Sequence, residues 1–445
     1  MPTPAALKVP DPGGADPGLG TEKSIRITTC LRVGLMTSAN PATTTMLRLP
    51  TAHWRIMRRR RPRERRSSGQ ARALLRALFP AATARRRRSR RGSAPAPTAP
   101  VPKVPAPPAV PAVPAVPAVP RPARARVRKP PRPPGVGVWH EARFVGTAGS
   151  RPYAVYVPRG LRRTAPAPLL VLLHGCGQGP AEFAATTRFN QVADRHGFVV
   201  AYPEQTAAHN SQRCWNWFEP GHQSRATGEP AVLAGITEQV AAESRRWRID
   251  PARVYVAGLS AGGAMALVLG VTYPDLYAAV GVHSAPPYRS ASSGVAALRA
   301  MAGHGTVRRP DTAPGSAGMP PTIVVQGSRD TTVRAANGDL VTEQWLAFHA
   351  AFLSGPTDPD RIVRSIRSTG RPGPGRGYTR TRWYTARGHK RLEAWHVDGL
   401  GHAWSGGLVG GSYSDPRGPR ASTLMWRFFA TQRLAPPTQV SEQPA

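Results

Sequence analysis

The sequence predicts an α/β fold, a mainly parallel sheet with helices on both faces, preceded by a disordered basic, proline-rich arm. Three observations predict it. From Trp139 onward, unbroken apolar runs such as 169–173 (LLVLL) alternate with stretches of helical period. Strands buried on both faces and joined by crossover helices read this way. One of these runs, 254–257, leads into Gly258-Leu259-Ser260-Ala261-Gly262 and then a run of small residues, a strand, tight turn and helix around a serine. Finally, composition changes sharply near residue 138. Residues 1–138 hold 28 Lys and Arg against 4 Asp and Glu, and 25 of the 50 prolines.

That change divides the 445-residue chain, of net charge +37, into four parts. Residues 1–94 form a basic low-complexity arm without fixed structure, 95–138 a Pro/Ala/Val-rich linker, 139–436 the catalytic domain and 437–445 a tail. Within the arm, Arg58 to Arg61 and Arg85 to Arg88 flank residues 71–79 (ARALLRALF), at best a short basic amphipathic helix. Residues 55–91 therefore suit a polyanion or an anionic membrane surface. The plain alternative is a solvated tail, the usual fate of like-charge runs. In the linker, the repeat PAVPAVPAVPAVP from Pro108 favours polyproline II, a semi-rigid spacer.

Several classes are excluded. Cys30, Cys176 and Cys214 are too few for a disulfide scaffold, and no Cys/His cluster has zinc-site spacing. Neither a metal nor a cofactor is expected. No apolar run approaches the ~20 residues of a membrane helix. The start lacks a charged region followed by an apolar core, so no secretory leader is recognised. Met46 and Met57 are later possible starts, and part of residues 1–56 need not be translated.

In chain order, 141–145 and 153–157 alternate like paired strands, and 169–173 is a buried strand. Residues 185–196 read as one helix, 198–201 as a strand and 230–247 as a helix. Then come the strand 253–257, the helix 261–272 and the strand 276–282. Residues 289–320 are an excursion rich in small residues. They are followed by the strand 322–325, the helix 338–353, late strands within 378–397 and a closing helix over 423–431.

A serine hydroxyl is a poor nucleophile without a base and a group that orients the base. The pentapeptide alone is a weak signal, because glycine is common here. Its partners give it weight. Behind the strand 322–325 lies QGSRDTTV, with Asp330 in a polar loop. Behind the late strands lies GLGHAW, with His402 between small residues. The order Ser260, Asp330, His402 suits this architecture; His396 and His389 are rivals for the last role. The tetrahedral intermediate needs two aimed N–H groups. The amide of Ala261 supplies one. The loop His174-Gly175-Cys176-Gly177-Gln178 supplies the other, from Cys176 or its neighbour Gly177, with His174 as a buttress.

The motifs HGCGQ (174–178), RCWNWF (213–218), GLSAGGAM (258–265), QGSRDTTV (326–333) and GHAWSGG (401–407) resemble the polyhydroxybutyrate (PHB) depolymerase-like esterase family. These are α/β-hydrolases related to feruloyl and acetylxylan esterases. The resemblance covers about residues 139–432. It implies Ser260 as nucleophile, Asp330 as orienting acid, His402 as base, and a disulfide joining Cys176 to Cys214. It also offers Trp215, Trp217 and Trp404 as flat apolar walls, Trp215 and Trp404 being the candidate substrate-binding residues. Secreted depolymerases of this kind carry a leader and a separate polymer-binding domain. This chain ends at Ala445 and starts with a basic arm, which favours soluble or oligomeric esters.

The leading expectation is thus a serine esterase acting on hydroxyalkanoate oligomers or similar esters through an acyl-enzyme. A feruloyl or acetylxylan type of esterase is the alternative within the class. A polyanion-binding protein working through its arginine arm is the alternative outside it. The resemblance implies an extracellular setting; the missing leader points to the cytoplasm instead.

Overall fold

The computed structural model describes residues 23–25 and 135–435, apart from 163, 244 and 308–318. The rest of the 1–94 arm with its 55–91 segment, the linker up to 134, the tail 437–445 and part of the 289–320 excursion lie outside the described residues. The domain begins slightly before the expected boundary. The Gly137 amide already donates to the Tyr156 hydroxyl at 2.7 Å.

In chain order the strands are β1 (Lys23–Ile25), β2 (Val138–Gly146), β3 (Gly149–Val157), β4 (Ala167–Leu173), β5 (Val199–Pro203), β6 (Ile249–Leu259), β7 (Ala279–His283), β8 (Thr322–Gly327), β9 (Ile362–Gly370), β10 (Tyr378–Thr385) and β11 (Lys390–Val397). They form an eleven-stranded sheet ordered β1-β9-β10-β11-β8-β7-β6-β4-β5-β3-β2. The six from β5 to β11 run parallel. Antiparallel ribbons extend both edges, β3 and β2 on one side and β10, β9 and β1 on the other. The mainly parallel, doubly covered sheet is as expected. The three-residue β1, inside a stretch expected to lack fixed structure, is not.

The helices are α1 (Pro180–Thr187), α2 (Phe189–His196), α3 (Gly228–Ala242), α4 (Ala261–Thr272), α5 (Gly294–Arg299), α6 (Ala336–Ala351) and α7 (Ala421–Phe429). Two cores lie on either side of the sheet, one under α3, α4 and α6 and one under α1, α2 and α7. Every residue of β4 is buried. That is why its sequence shows no alternation, and each such Leu or Val contributes about 1.5–3 kcal/mol through burial.

Three expectations change. The single helix over 185–196 is two helices, because Arg188 takes a left-handed conformation (φ 60°) between them. The break sets Phe183 and Phe189 edge-on to Trp404, with ring centroids 5.7 and 6.0 Å away. The helix expected to reach 247 stops at Ala242. Trp247 turns back there, its indole N–H donating to the Val240 carbonyl at 2.7 Å. Finally, β9 leaves no strand signature in the sequence, because arginines interrupt its apolar positions (IVRSIRSTG) and the strand is only partly covered.

Candidate active site

The carboxyl ends of β4, β6, β8 and β11 deliver the candidate residues to one end of the sheet. Ser260 follows β6 and precedes α4, with φ 57° and ψ −123°. An L-residue is strained there, and such conformations persist only where packing enforces them. The packing is explicit. A Cβ on Gly258 would lie 2.3 Å from the carbonyl carbon of Gly262, and one on Gly262 would lie 2.2 Å from the Leu173 oxygen. Only glycines let β6, its turn and β4 approach so closely. The Ser260 amide donates to the His283 carbonyl at 2.9 Å and fixes the turn against β7.

Asp330 and His402 meet although 72 residues separate them. His402 Nδ1 is 2.8 Å from Asp330 Oδ2. The other carboxylate oxygen of Asp330 accepts the amides of Thr332 and Val333, at 3.0 and 2.8 Å. The carboxylate is fully shielded and the imidazole nearly so. The two loops are stitched by backbone. The Ser328 amide donates to Val397, and the Arg329 amide to Leu400. His389 and His396 take no part. The His389 amide donates to the Thr385 hydroxyl, and His396 reaches Asp339 at 3.2 Å.

Ser260, Ala261, Cys176 and His402 line one cavity of about 650 Å³. Trp217, Phe218, Leu259, Pro286, Met301 and Val333 give it apolar walls, while Asn210, Ser211 and Gln212 make one side polar. The Cys176–Cys214 disulfide is formed and its cysteines also face this space. The amide of Gly177 is taken by the Gln212 carbonyl at 2.8 Å. That leaves Cys176 as the donor in this loop with no partner among the described residues.

Comparison with known proteins agrees with this architecture. Residues 151–358 match the family described as Esterase PHB depolymerase. A poly(3-hydroxyalkanoate) depolymerase C from Paucimonas lemoignei is 32% identical over 255 residues, covering 56% of this chain and 57% of that protein. The domain is similar to the PHB depolymerase-like esterase family over these residues.

The domain has further relatives. A poly(3-hydroxybutyrate) depolymerase from Ralstonia pickettii is 30% identical over 54% of this chain and 49% of its own length. The chain thus spans about half the length of these two curated relatives. Among solved structures, an acetyl xylan esterase from Aspergillus awamori superposes with a TM-score of 0.50 at 20% identity, over 66% of this chain and all of that one. This shows the α/β-hydrolase fold.

The tryptophan expectation needs correcting. Trp215 and Trp404 are wholly buried and neither lines the cavity. The Trp215 indole donates to the His174 carbonyl at 3.1 Å, and that of Trp404 to the Ser422 hydroxyl at 3.1 Å. Both serve packing, since a buried indole needs a partner for its N–H. Trp217 is the tryptophan on the cavity wall.

His174 is buried too. Its Nδ1 donates to the Gly175 carbonyl at 2.8 Å and its Nε2 accepts the Gln205 amide at 3.0 Å. Burial pushes its pKa down to about 4, so the ring is a neutral brace for the Cys176 loop. Behind it lies a polar cluster that sequence reasoning missed. Glu229, in the first turn of α3, accepts the backbone and side-chain amides of Asn216 at 2.7 and 2.8 Å. It also accepts from Gln205 Nε2 and pairs with Arg151 at 3.4 Å. Gln205 in turn donates to the Cys214 carbonyl at 2.9 Å. The domain thus carries a buried carboxylate whose partners, Arg151, Gln205 and Asn216, come from three distant segments. No local motif announces such a set. The one sequence signal is Glu229 itself, a charge beside the apolar face of α3.

Proposed function

We propose that this domain is a serine carboxylic-ester hydrolase working through an acyl-enzyme. The observation that carries the reading is that Ser260 and His402 share a cavity while Asp330 holds His402 from behind. With Nδ1–H donating to the Asp330 carboxylate, Nε2 is the free base. Ser260 Oγ attacks the ester carbonyl and passes its proton to Nε2. The carbonyl oxygen becomes an oxyanion facing the amides of Cys176 and Ala261, at the start of α4, where helix geometry leaves N–H groups unpaired. Collapse expels the alcohol, which takes the proton from Nε2. Water then repeats the sequence and releases the acid.

The apolar walls favour an aliphatic acyl group or a short run of hydroxyalkanoate units, in line with the names of the depolymerase relatives. The polar side at Asn210, Ser211 and Gln212 supports a second reading, a sugar alcohol as leaving group. It is in line with an acetylxylan esterase of Coprinopsis cinerea, 35% identical over 127 residues. The disulfide favours an oxidising, extracellular setting. Residues 55–91 remain a proposed contact for polyanions.

The test is turnover of p-nitrophenyl butyrate by Ser260→Ala. The expected loss is roughly 10⁴-fold or more; activity near that of the parent refutes the reading.

A further inference from the structure

His283 ends β7, does not line the cavity, and belongs to none of the five sequence motifs. Yet it is bonded to both halves of the site. Its backbone carbonyl accepts the Ser260 amide at 2.9 Å and so pins the strained turn. Its ring Nε2 accepts the Ser405 amide at 3.1 Å, three residues after His402. The ring is wholly buried and lies flat against Trp404, centroids 4.9 Å apart and planes at 27°. Nδ1 faces the Ser284 hydroxyl at 3.1 Å.

These contacts fix the tautomer. An Nε2 that accepts a backbone N–H carries no proton, so the proton sits on Nδ1 and points to Ser284. Burial pushes the ring's pKa down to about 3, and the acceptor persists over any pH at which an ester hydrolase of this kind works. The ring cannot drift either, with Trp404 on its face and the Ser284 hydroxyl on its other nitrogen.

We infer that His283 is a positioning residue, a clamp that sets the distance between the Ser260 turn and the His402 loop. The inference rests on the ester-hydrolase reading above. Ser260 hangs from β6 and His402 from the loop after β11, with β7 and β8 between the two strands. The Asp330 contact orients the His402 ring, but it does not tie the His402 loop to the nucleophile. His283 does, with one bond to each side. Losses of about 100-fold from displacements near 1 Å are typical of such positioning.

The test compares two variants in the full chain. In His283→Gln the amide oxygen can take the place of Nε2 and accept the Ser405 amide. In His283→Asn the shorter side chain reaches only as far as Nδ1, so the Ser405 bond is lost. The expected result with p-nitrophenyl butyrate is a fall in kcat of about tenfold or more for His283→Asn. KM should stay within about twofold, and His283→Gln should recover most of the rate. Equal kcat for the two variants, or a loss confined to KM, overturns the inference. Hydrogen exchange on the unaltered protein gives a second readout that needs no variant to fold. The Ser405 amide should be as protected as that of Ser260, and fast exchange at Ser405 overturns the clamp. Ser260→Ala run alongside separates the two claims. If it retains activity, the ester-hydrolase reading fails, whatever the His283 variants do.

Discussion

Asp330 holds His402 with one carboxylate oxygen, at 2.8 Å, while its other oxygen is held by two backbone amides of its own loop. The aspartate is therefore held by its own loop independently of the histidine, and its free oxygen orients the imidazole. Asp330→Asn keeps the shape but offers an amide in place of the acceptor. It should lower kcat by about 10³–10⁴-fold, because the histidine then presents the wrong tautomer. Steady-state kinetics on p-nitrophenyl butyrate checks this; a loss under tenfold contradicts it.

The Cys176–Cys214 disulfide spans a sequence separation of 38. Closing a loop of that size stabilises the fold by about 3–4 kcal/mol in the chain-entropy model. The double variant Cys176→Ala/Cys214→Ala should lose stability of that order in urea unfolding. It should also lose kcat, since the Cys176 amide would no longer be anchored to the Trp217 loop. An unchanged unfolding midpoint argues against this role.

Trp215 and Trp217 are near neighbours with different expected phenotypes. Trp215 is buried against His174, and Trp215→Ala should cost about 3–5 kcal/mol of stability. Trp217 lines the cavity, and Trp217→Ala should change the ranking of acetyl, butyryl and octanoyl esters while the protein stays folded. An ester panel and a melting curve on both variants separate the two. Identical chain-length profiles for parent and Trp217→Ala would count against the wall assignment.

Acid should destabilise the fold early. Burial holds the pKa of His174 at about 4 and of His283 at about 3, below the ordinary value near 6.5. The folded state thus binds fewer protons than the unfolded one. The stability tied to these neutral rings is complete above pH ~6.5 and is lost as pH falls toward 4 and then 3. The urea midpoint should decline from pH 7 to pH 5, before most carboxylates titrate. A flat midpoint over that range contradicts the burial of these rings as neutral acceptors.

How much of this was legible in the sequence depends on locality. The central strands were readable because burial on both faces turns them into unbroken apolar runs. Ser260, Asp330 and His402 were readable because each follows its own strand in a loop with distinctive neighbours. The edge ribbon β9 was not, since its arginines are solvated and erase the apolar pattern. The helix break at Arg188 was not either, because a left-handed arginine leaves no mark in composition. Trp215 and Trp404 sat next to motif residues and looked like walls; their burial depends on β4 and α7 packing over them, which adjacency in sequence does not convey. His283 and Glu229 matter through partners between 13 and 122 residues away, a relation that only the folded chain displays.

The central claim is that Ser260 is the nucleophile of an acyl-transfer site. The most direct measurement is intact-mass and peptide-mapping analysis after treatment with a fluorophosphonate. One adduct per chain is expected, located on Ser260 and formed at a rate that falls sharply in Asp330→Asn. An unlabelled chain, or an adduct on another serine with Ser260 unmodified, would contradict it.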